Sequence, residues 1–289
     1  MNPLSETSQQ LKAAYQKANN TAKNVKTEGW VENLARFGFA AKGTVYILIG
    51  VLATMAAFEI SGGENAGRTK IFEIIYEQPF GRVLLAILAL GMFSYMIWRL
   101  VEAVKNPDGI KDDVKGKLKR IGLAFAGLLY GGAAVYAMKM VIEGGSSGGG
   151  NSRELLISKA LNLPMGQWLV GLVALGVIGK GLYQLYAAYK AKFMEGIKTA
   201  KLNNKEQKIY KRAGYAGFIA RGIVFLIIGY FALKAAMDYN PDAAKGTEQA
   251  LSFLESGAYG SIVLGAVALG LVAYGVFMFV KARYMRFNT

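Results

Sequence analysis

The 289-residue chain contains neither cysteine nor histidine. Without cysteine there is no disulfide framework, no thiolate metal site and no cysteine nucleophile. Without histidine, imidazole ligation of haem, the usual zinc and copper sites and the commonest general base are excluded as well. No cofactor is therefore expected. Acidic residues are also scarce, 19 against 34 lysines and arginines. The long apolar runs hold none of them, and the nearby Glu59, Glu102, Glu143 and Asp238 sit at predicted helix ends. Ion-coupled transporters typically use a midplane carboxylate or a broken helix. Neither is signalled here, because no proline falls inside a predicted span. Paired carboxylates in a cleft are missing too, so the chain is not expected to be an enzyme.

What is present is apolar. The set AVILMFWYC supplies 53% of the chain, and 36 glycines come on top. Average soluble domains reach about 45–50% even with glycine counted in. Charge-free runs occupy Gly43–Phe58, Val83–Trp98, Ile121–Met138, Ala160–Gly179, Gly222–Leu233 and Ser256–Val280. A membrane-spanning helix needs about 18 such residues. Three runs reach that length; the first two have 16 residues and the fifth 12.

An internal repeat supports the short runs. Ala-Leu-Gly occurs three times, ending at Gly91, Gly176 and Gly270, each ten residues after Gly81, Gly166 or Gly260. Upstream, AKGTVYILIG from Ala41 is echoed by ARGIVFLIIG from Ala220, with FAGLLYGGAA from Phe125 as a degenerate middle copy. Gly43, Gly127 and Gly222 precede the Ala-Leu-Gly glycines by 48, 49 and 48 residues. Each unit reads as two apolar helices, so three units make six: Phe37–Phe58 and Phe80–Ala103, Ile121–Ile142 and Met165–Ala188, Tyr215–Met237 and Tyr259–Ala282. The repeats are bounded as residues 30–105, 113–193 and 206–287. The expected fold is an all-α integral membrane six-helix bundle of three parallel two-helix repeats, with approximate pseudo-threefold symmetry.

Between the helices of each unit lies a short amphipathic stretch: KIFEIIYEQ from Lys70, RELLISKAL from Arg153 and EQALSFLES from Glu248. Thr69, Ser152 and Thr247 are placed to cap them, and Pro79, Pro164 and Gly257 to end them. Gly144–Asn151 reads as a flexible insertion. Residues 1–29 are polar and lack the apolar core of a cleavable signal. Within them Leu4, Leu11, Tyr15, Ala18, Ala22 and Val25 keep helical spacing, which fits either a helix lying on the membrane surface or a leader packed on loops.

Charge predicts orientation. Twenty-two lysines and arginines fall in the leader, the second-to-third and fourth-to-fifth connections and the tail, against five in the other three loops. The positive-inside rule then puts both termini of the six-span chain in the cytoplasm. The net charge of +15 is an orientation signal first. No stacking aromatics or known module accompany it, so nucleic acid is not an expected partner. Anionic headgroups on the cytoplasmic side are expected lipid partners.

The strings GFAAKGTVYILIGVLA from Gly38, GFIARGIVFLIIGYFA from Gly217 and ALGLVAYGVF from Ala268 with the closing ARYMRF resemble the bacterial three-repeat membrane family catalogued as domain of unknown function 1206. The resemblance runs from about Trp30 to Phe287. It implies a membrane fold and no particular activity. The second copy departs from it, with Ala126 where the others have Lys42 and Arg221.

Two residue sets stand out. Gly43, Gly91, Gly127, Gly176, Gly222 and Gly270 are expected to pack helices closely. Lys42 and Arg221, about one turn into matching helices, and Arg99 and Lys180, from the returning helices, form a candidate anion or lipid-headgroup site. An intramembrane cation costs roughly 2.5–3.5 kcal/mol to insert, though near a helix end it can instead snorkel to the interface. Lys180 lies deepest, and Tyr95 and Tyr274 occupy its place in the sister repeats. The aligned aromatics Tyr46, Tyr130 and Phe225, and Tyr183, Trp98 and Phe277, read as packing or interface residues. The expected role is a non-catalytic structural or accessory module of a membrane complex with lipid contacts and a possible membrane-protein partner. The alternative is a transporter or channel for an anion or an amphiphile.

Overall fold

The computed structural model describes residues 29–60, 63, 65, 67–107, 109–144, 158–163, 165–196 and 202–285. Its main helices are α1 (Gly29–Ala57), α2 (Arg68–Glu77), α3 (Gly81–Lys105), α4 (Val114–Glu143), α5 (Gly166–Tyr189), α6 (Asn204–Met237), α7 (Thr247–Glu255) and α8 (Gly260–Tyr284). The fold is all-α. Among the described residues, α1, α3, α4, α5, α6 and α8 are long and apolar enough to cross a membrane. The leader, nearly all of Gly144–Asn151, Ser152 and Pro164 lie outside the described residues.

The first helix of each repeat starts 7–11 residues earlier than its apolar run suggests. At 34 residues, α6 is about 51 Å long at 1.5 Å per residue, well beyond the ~30 Å hydrocarbon core. An apolar window registers only the part that lipid could cover. The polar extension is helical in its own right and is capped: Asn203 and Glu206 form a reciprocal capping box at 2.8 and 3.0 Å. Asp113 Oδ1 likewise accepts from Gly116 N at 2.7 Å.

The α2 and α7 caps differ from expectation. Thr69 lies inside the first turn of α2, and Thr247 is the first residue of α7; the preceding Gly67 and Gly246 are the N-caps. The Gln249 side chain accepts from Gly246 N at 2.9 Å and satisfies that end. α2 ends at Glu77 with Gln78 extended ahead of Pro79, as expected, and the turns that follow the outer helices are crowded. A Cβ on Gly81 would sit 2.2 Å from Ile75 O, on Gly166 2.0 Å from Ala160 O, and on Gly260 1.7 Å from Glu255 O. The turn is so tight that only glycine can open the returning helix, which explains the first half of the repeated ten-residue spacing.

Helix pairing is cyclic. The first helix of each repeat lies along the second helix of the preceding repeat: α4 on α3, α6 on α5, and α1 on α8. Glycines permit the crossings. A Cβ on Gly43 would meet Gly275 O at 2.9 Å, and one on Gly181 would meet Gly222 O at 3.0 Å. Gly127 lies against the Arg99 Cβ at 3.0 Å. Within repeats one and three the two helices also pack, α1 on α3 and α6 on α8. A Cβ on Gly91 would meet the Ala41 Cβ at 2.4 Å, and one on Gly270 the Ala220 Cβ at 2.5 Å.

Repeat two lacks this internal contact. α4 and α5 touch marginally at most. A Cβ on Gly122 or Gly176 would meet nothing within 4 Å. Gly176 is thus not a packing glycine; α5 approaches α6 through Gly181 instead. The three repeats are not structurally equivalent, and the expected threefold arrangement is broken at the second. Aligning on the repeated glycines gives a physical reason: Phe125 stands where the sister repeats have Ala41 and Ala220, and Lys180 where they have Tyr95 and Tyr274. Two larger or charged side chains replace the pair that makes the crossing.

The basic end of the bundle is tied by side chains. Arg120 donates to Ala103 O at 2.6 Å and Val104 O at 2.9 Å, satisfying carbonyls at the end of α3. Arg36 donates to Ala282 O at 2.9 Å and to Arg283 O, and the Tyr284 hydroxyl donates to Glu206 at 2.7 Å. The end of α8 is thereby held to both α1 and α6.

Candidate anion site

Lys42 lies in the interior, not at an interface. It is 13 residues into α1, about four turns, and buried. Its ammonium donates to the Tyr95 hydroxyl at 2.9 Å. The rings of Tyr95, Tyr130 and Tyr274 surround it at 4.7, 5.1 and 5.7 Å from their centroids. Arg221, the matching residue of α6, is buried likewise, with Nε donating to the Tyr46 hydroxyl at 3.2 Å. Its guanidinium sits over Tyr274 at 4.1 Å, Tyr46 at 5.0 Å and Phe225 at 5.1 Å. Desolvated cation–π contacts are worth about 2 kcal/mol or more, enough to offset much of the cost of inserting each cation. The snorkelling expectation fails at both positions because the tyrosines supply a polar lining inside the bundle.

The cage is built by the repeat. Gly38 and Gly217 bring the first helix of repeats one and three against the backbone of Tyr95 and Tyr274; a Cβ there would lie 2.6 Å from either Cα. Tyr95 packs edge-on against Tyr130 at 4.6 Å, and Tyr274 against Tyr46 at 4.8 Å. Each tyrosine of a second helix therefore meets one from the first helix of the next repeat.

Charge compensation is uneven. Arg99 donates to the Tyr95 hydroxyl at 2.7 Å and pairs with buried Glu102 one turn along. That phenol oxygen accepts from two cations at once, using both of its lone pairs. Arg99 is thus neutralised by a carboxylate, unlike the other candidates. Among the described residues, Lys42 and Arg221 have no carboxylate partner, and the two terminal nitrogens of Arg221 make no hydrogen bond. Lys281, not singled out from the sequence, lies over the Phe39 ring at 4.7 Å.

Lys180 is exposed yet not remote. Gly181, the next residue of α5, lies against α6, its Cβ position 3.0 Å from Gly222 O, so Lys180 stands at the level of Arg221. α5 packs along α6 alone among the spans. Tyr130 of α4 and Arg221 of α6 both reach the cage around Lys42 and Tyr274, so the helices curl into a ring that stays open between α4 and α5. Among the described residues, no group of three or more acidic side chains could hold a metal ion.

The chain matches the family described as Domain of Unknown Function (DUF1206) three times, at residues 37–106, 121–191 and 216–285. It belongs to the DUF1206 family. The three matches coincide with the three helix pairs around the cage, so the DUF1206 unit is one pair of spans. A relative named "Uncharacterized protein YxxB", from Bacillus subtilis (strain 168), is 35% identical over 262 residues, 89% of this chain and 92% of its own length. No solved structure matches. The DUF1206 chain is a multi-pass membrane protein.

One polar residue near the cage is strained by solvation. Gln184, one turn beyond Lys180 on α5, is buried with both amide atoms unpartnered. An unsatisfied buried amide costs about 1–3 kcal/mol. The third repeat has Met278 at this position. Gln184→Met is therefore expected to raise the melting temperature in detergent; a lowered one would mean that the amide has a partner in the folded protein.

Proposed function

We propose that this DUF1206 protein is a non-catalytic module of the bacterial inner membrane, with both termini in the cytoplasm, that binds an anionic phosphate-type group inside its helical ring. The observation that carries the proposal is the pair Lys42 and Arg221, buried among tyrosines with no carboxylate among the described residues to neutralise them. Buried charges are normally paired, and here the missing partner is negative. The basic end of the bundle adds attraction for anionic headgroups. An accessory role in a membrane complex fits a receptor that carries no catalytic group.

Native mass spectrometry after gentle extraction from the protein's own membrane tests this reading. A retained anionic species, displaced by added phosphatidylglycerol, is the expected result. A bare polypeptide whose spectrum and melting temperature ignore both phosphatidylglycerol and inorganic phosphate would sink it. A second polypeptide in fixed stoichiometry would identify the complex. The competing reading is transport of the anion, favoured by the open side of the ring. Flux of phosphate or lipid in reconstituted liposomes, above that of protein-free vesicles, would decide for it.

A further inference from the structure

Four positions separate the second repeat from its sisters. Phe125 is 49% exposed, whereas Ala41 and Ala220 are 6% and 3%. Leu129 is 52% exposed; its equivalents Val45 and Val224 are 0% and 5%. Val173 is also exposed, where Leu88 and Val267 are buried. Lys180 is exposed, and Tyr95 and Tyr274 are buried. Phe125 and Leu129 lie one turn apart on α4; Val173 and Lys180 lie two turns apart on α5. These are the two faces that would close the ring. They are apolar along most of their length and cationic at one point.

The repeat has also moved a charge. Repeats one and three carry their cation on the first helix, at Lys42 and Arg221, and a tyrosine on the second. Repeat two has Ala126 on its first helix and Lys180 on the second. Counting only these two matched positions, each repeat holds one cation, and that of repeat two stands at the open side. A gap lined by Phe125, Leu129 and Val173 would repel a hydrated ion, and a wholly apolar guest would gain nothing from Lys180. The guest that matches both has a negatively charged head and hydrocarbon chains.

We propose that the gap between α4 and α5 is a lateral opening that admits an anionic phospholipid, its phosphate meeting Lys180 and the free guanidinium nitrogens of Arg221 and its acyl chains lying between the facing apolar residues. This rests on the anion-site reading above and names the ligand and its path. Phe125 acts as the spacer: it occupies the position at which the sister repeats bring alanine against glycine.

The test uses the whole protein in nanodiscs with phosphatidylglycerol carrying a photoreactive acyl chain. Adducts are expected on α4 and α5, competed by plain phosphatidylglycerol and not by phosphatidylcholine or millimolar inorganic phosphate. The variant Phe125→Ala/Lys180→Tyr restores the residue types of repeats one and three. It should close the ring, lose labelling at least about tenfold and melt no lower than the parent. Unchanged labelling in that variant refutes the lateral opening. Binding of inorganic phosphate without phospholipid adducts would also refute it while leaving the anion site standing; no binding of either removes both. Should the variant fail to fold, the gap can be measured directly. The absence of cysteine makes spin labels at Leu129→Cys/Val173→Cys and at the equivalent Val45→Cys/Leu88→Cys free of background. The first pair should be the farther apart; equal distances overturn the proposal.

Discussion

Leucine at Gly38 or Gly217 is expected to collapse the stability of the bundle, whereas leucine at Gly122, the matching glycine of repeat two, should be tolerated. A Cβ at Gly38 would lie 2.5 Å from Tyr95 N and 2.6 Å from its Cα; at Gly217 the Tyr274 Cα is 2.6 Å away. These obstacles are backbone atoms in the middle of long helices and cannot rotate aside. Overpacking of a well-packed core costs about 1–3 kcal/mol, and a rigid obstacle puts both variants at or beyond the top of that range. At Gly122 nothing lies within 4 Å, so the change should stay within about 0.5 kcal/mol. Thermal unfolding in one detergent, followed by circular dichroism, compares the three directly. Equal losses would mean that α4 and α5 pack as the other pairs do, and the open side of the ring would not exist.

The contrast also shows what the sequence could and could not reveal. The six spans and three units were legible because hydrocarbon demands length and apolarity, and because backbone crowding demands glycine at fixed spacing. Gly81, Gly166 and Gly260 carried that signal, and each proves to be a turn that no side chain could enter. Gly176 carried the same signal and is not a contact. A repeated glycine marks where a partner sat in the parent unit, but not whether the partner is still there. The information that it has gone lay in Phe125, three residues past Gly122, whose bulk matters only once its sister residues Ala41 and Ala220 are known to meet Gly91 and Gly270.

The candidate cations were legible as residues, their surroundings were not. Lys42 and Arg221 read as interfacial because the charge-free runs begin just after them, at Gly43 and Gly222. The helices begin 13 and 17 residues before the two cations, and tyrosines from other helices enclose both. Tyr46, Tyr95, Tyr130 and Tyr274 come from four different helices, so no local spacing could join them to a lysine. Arg99 was legible as a cation and its neutralising partner Glu102 as a helix-end carboxylate; only the fold made them a pair. What sequence comparison within the repeat did retain was the exchange of tyrosine for lysine at position 180.

Removing the caged charges should abolish anion binding and leave the fold intact. In Lys42→Met/Arg221→Gln, two cationic donors disappear from the interior. Each charge-assisted hydrogen bond is worth about 1.5–3 kcal/mol, and every 1.4 kcal/mol is tenfold, so affinity for phosphatidylglycerol should fall by at least a hundredfold. The ligand-free protein should not lose stability in proportion. The roughly 2.5–3.5 kcal/mol needed to hold a cation within the membrane is relieved at each site, against the loss of cation–π contacts of similar size. The tyrosine rings remain packed edge to face and keep the helices in register. A ligand that binds only the folded state stabilises it in step with the logarithm of its concentration over Kd. The parent should therefore melt progressively higher as phosphatidylglycerol is added, and the double variant should not respond. If both respond alike, the anion is held elsewhere on the basic end and the cage is a structural feature alone. If the variant loses the response together with its helical signal, Lys42→Arg settles the matter: charge is kept in the cage, and a response recovered with it ties binding to the cation.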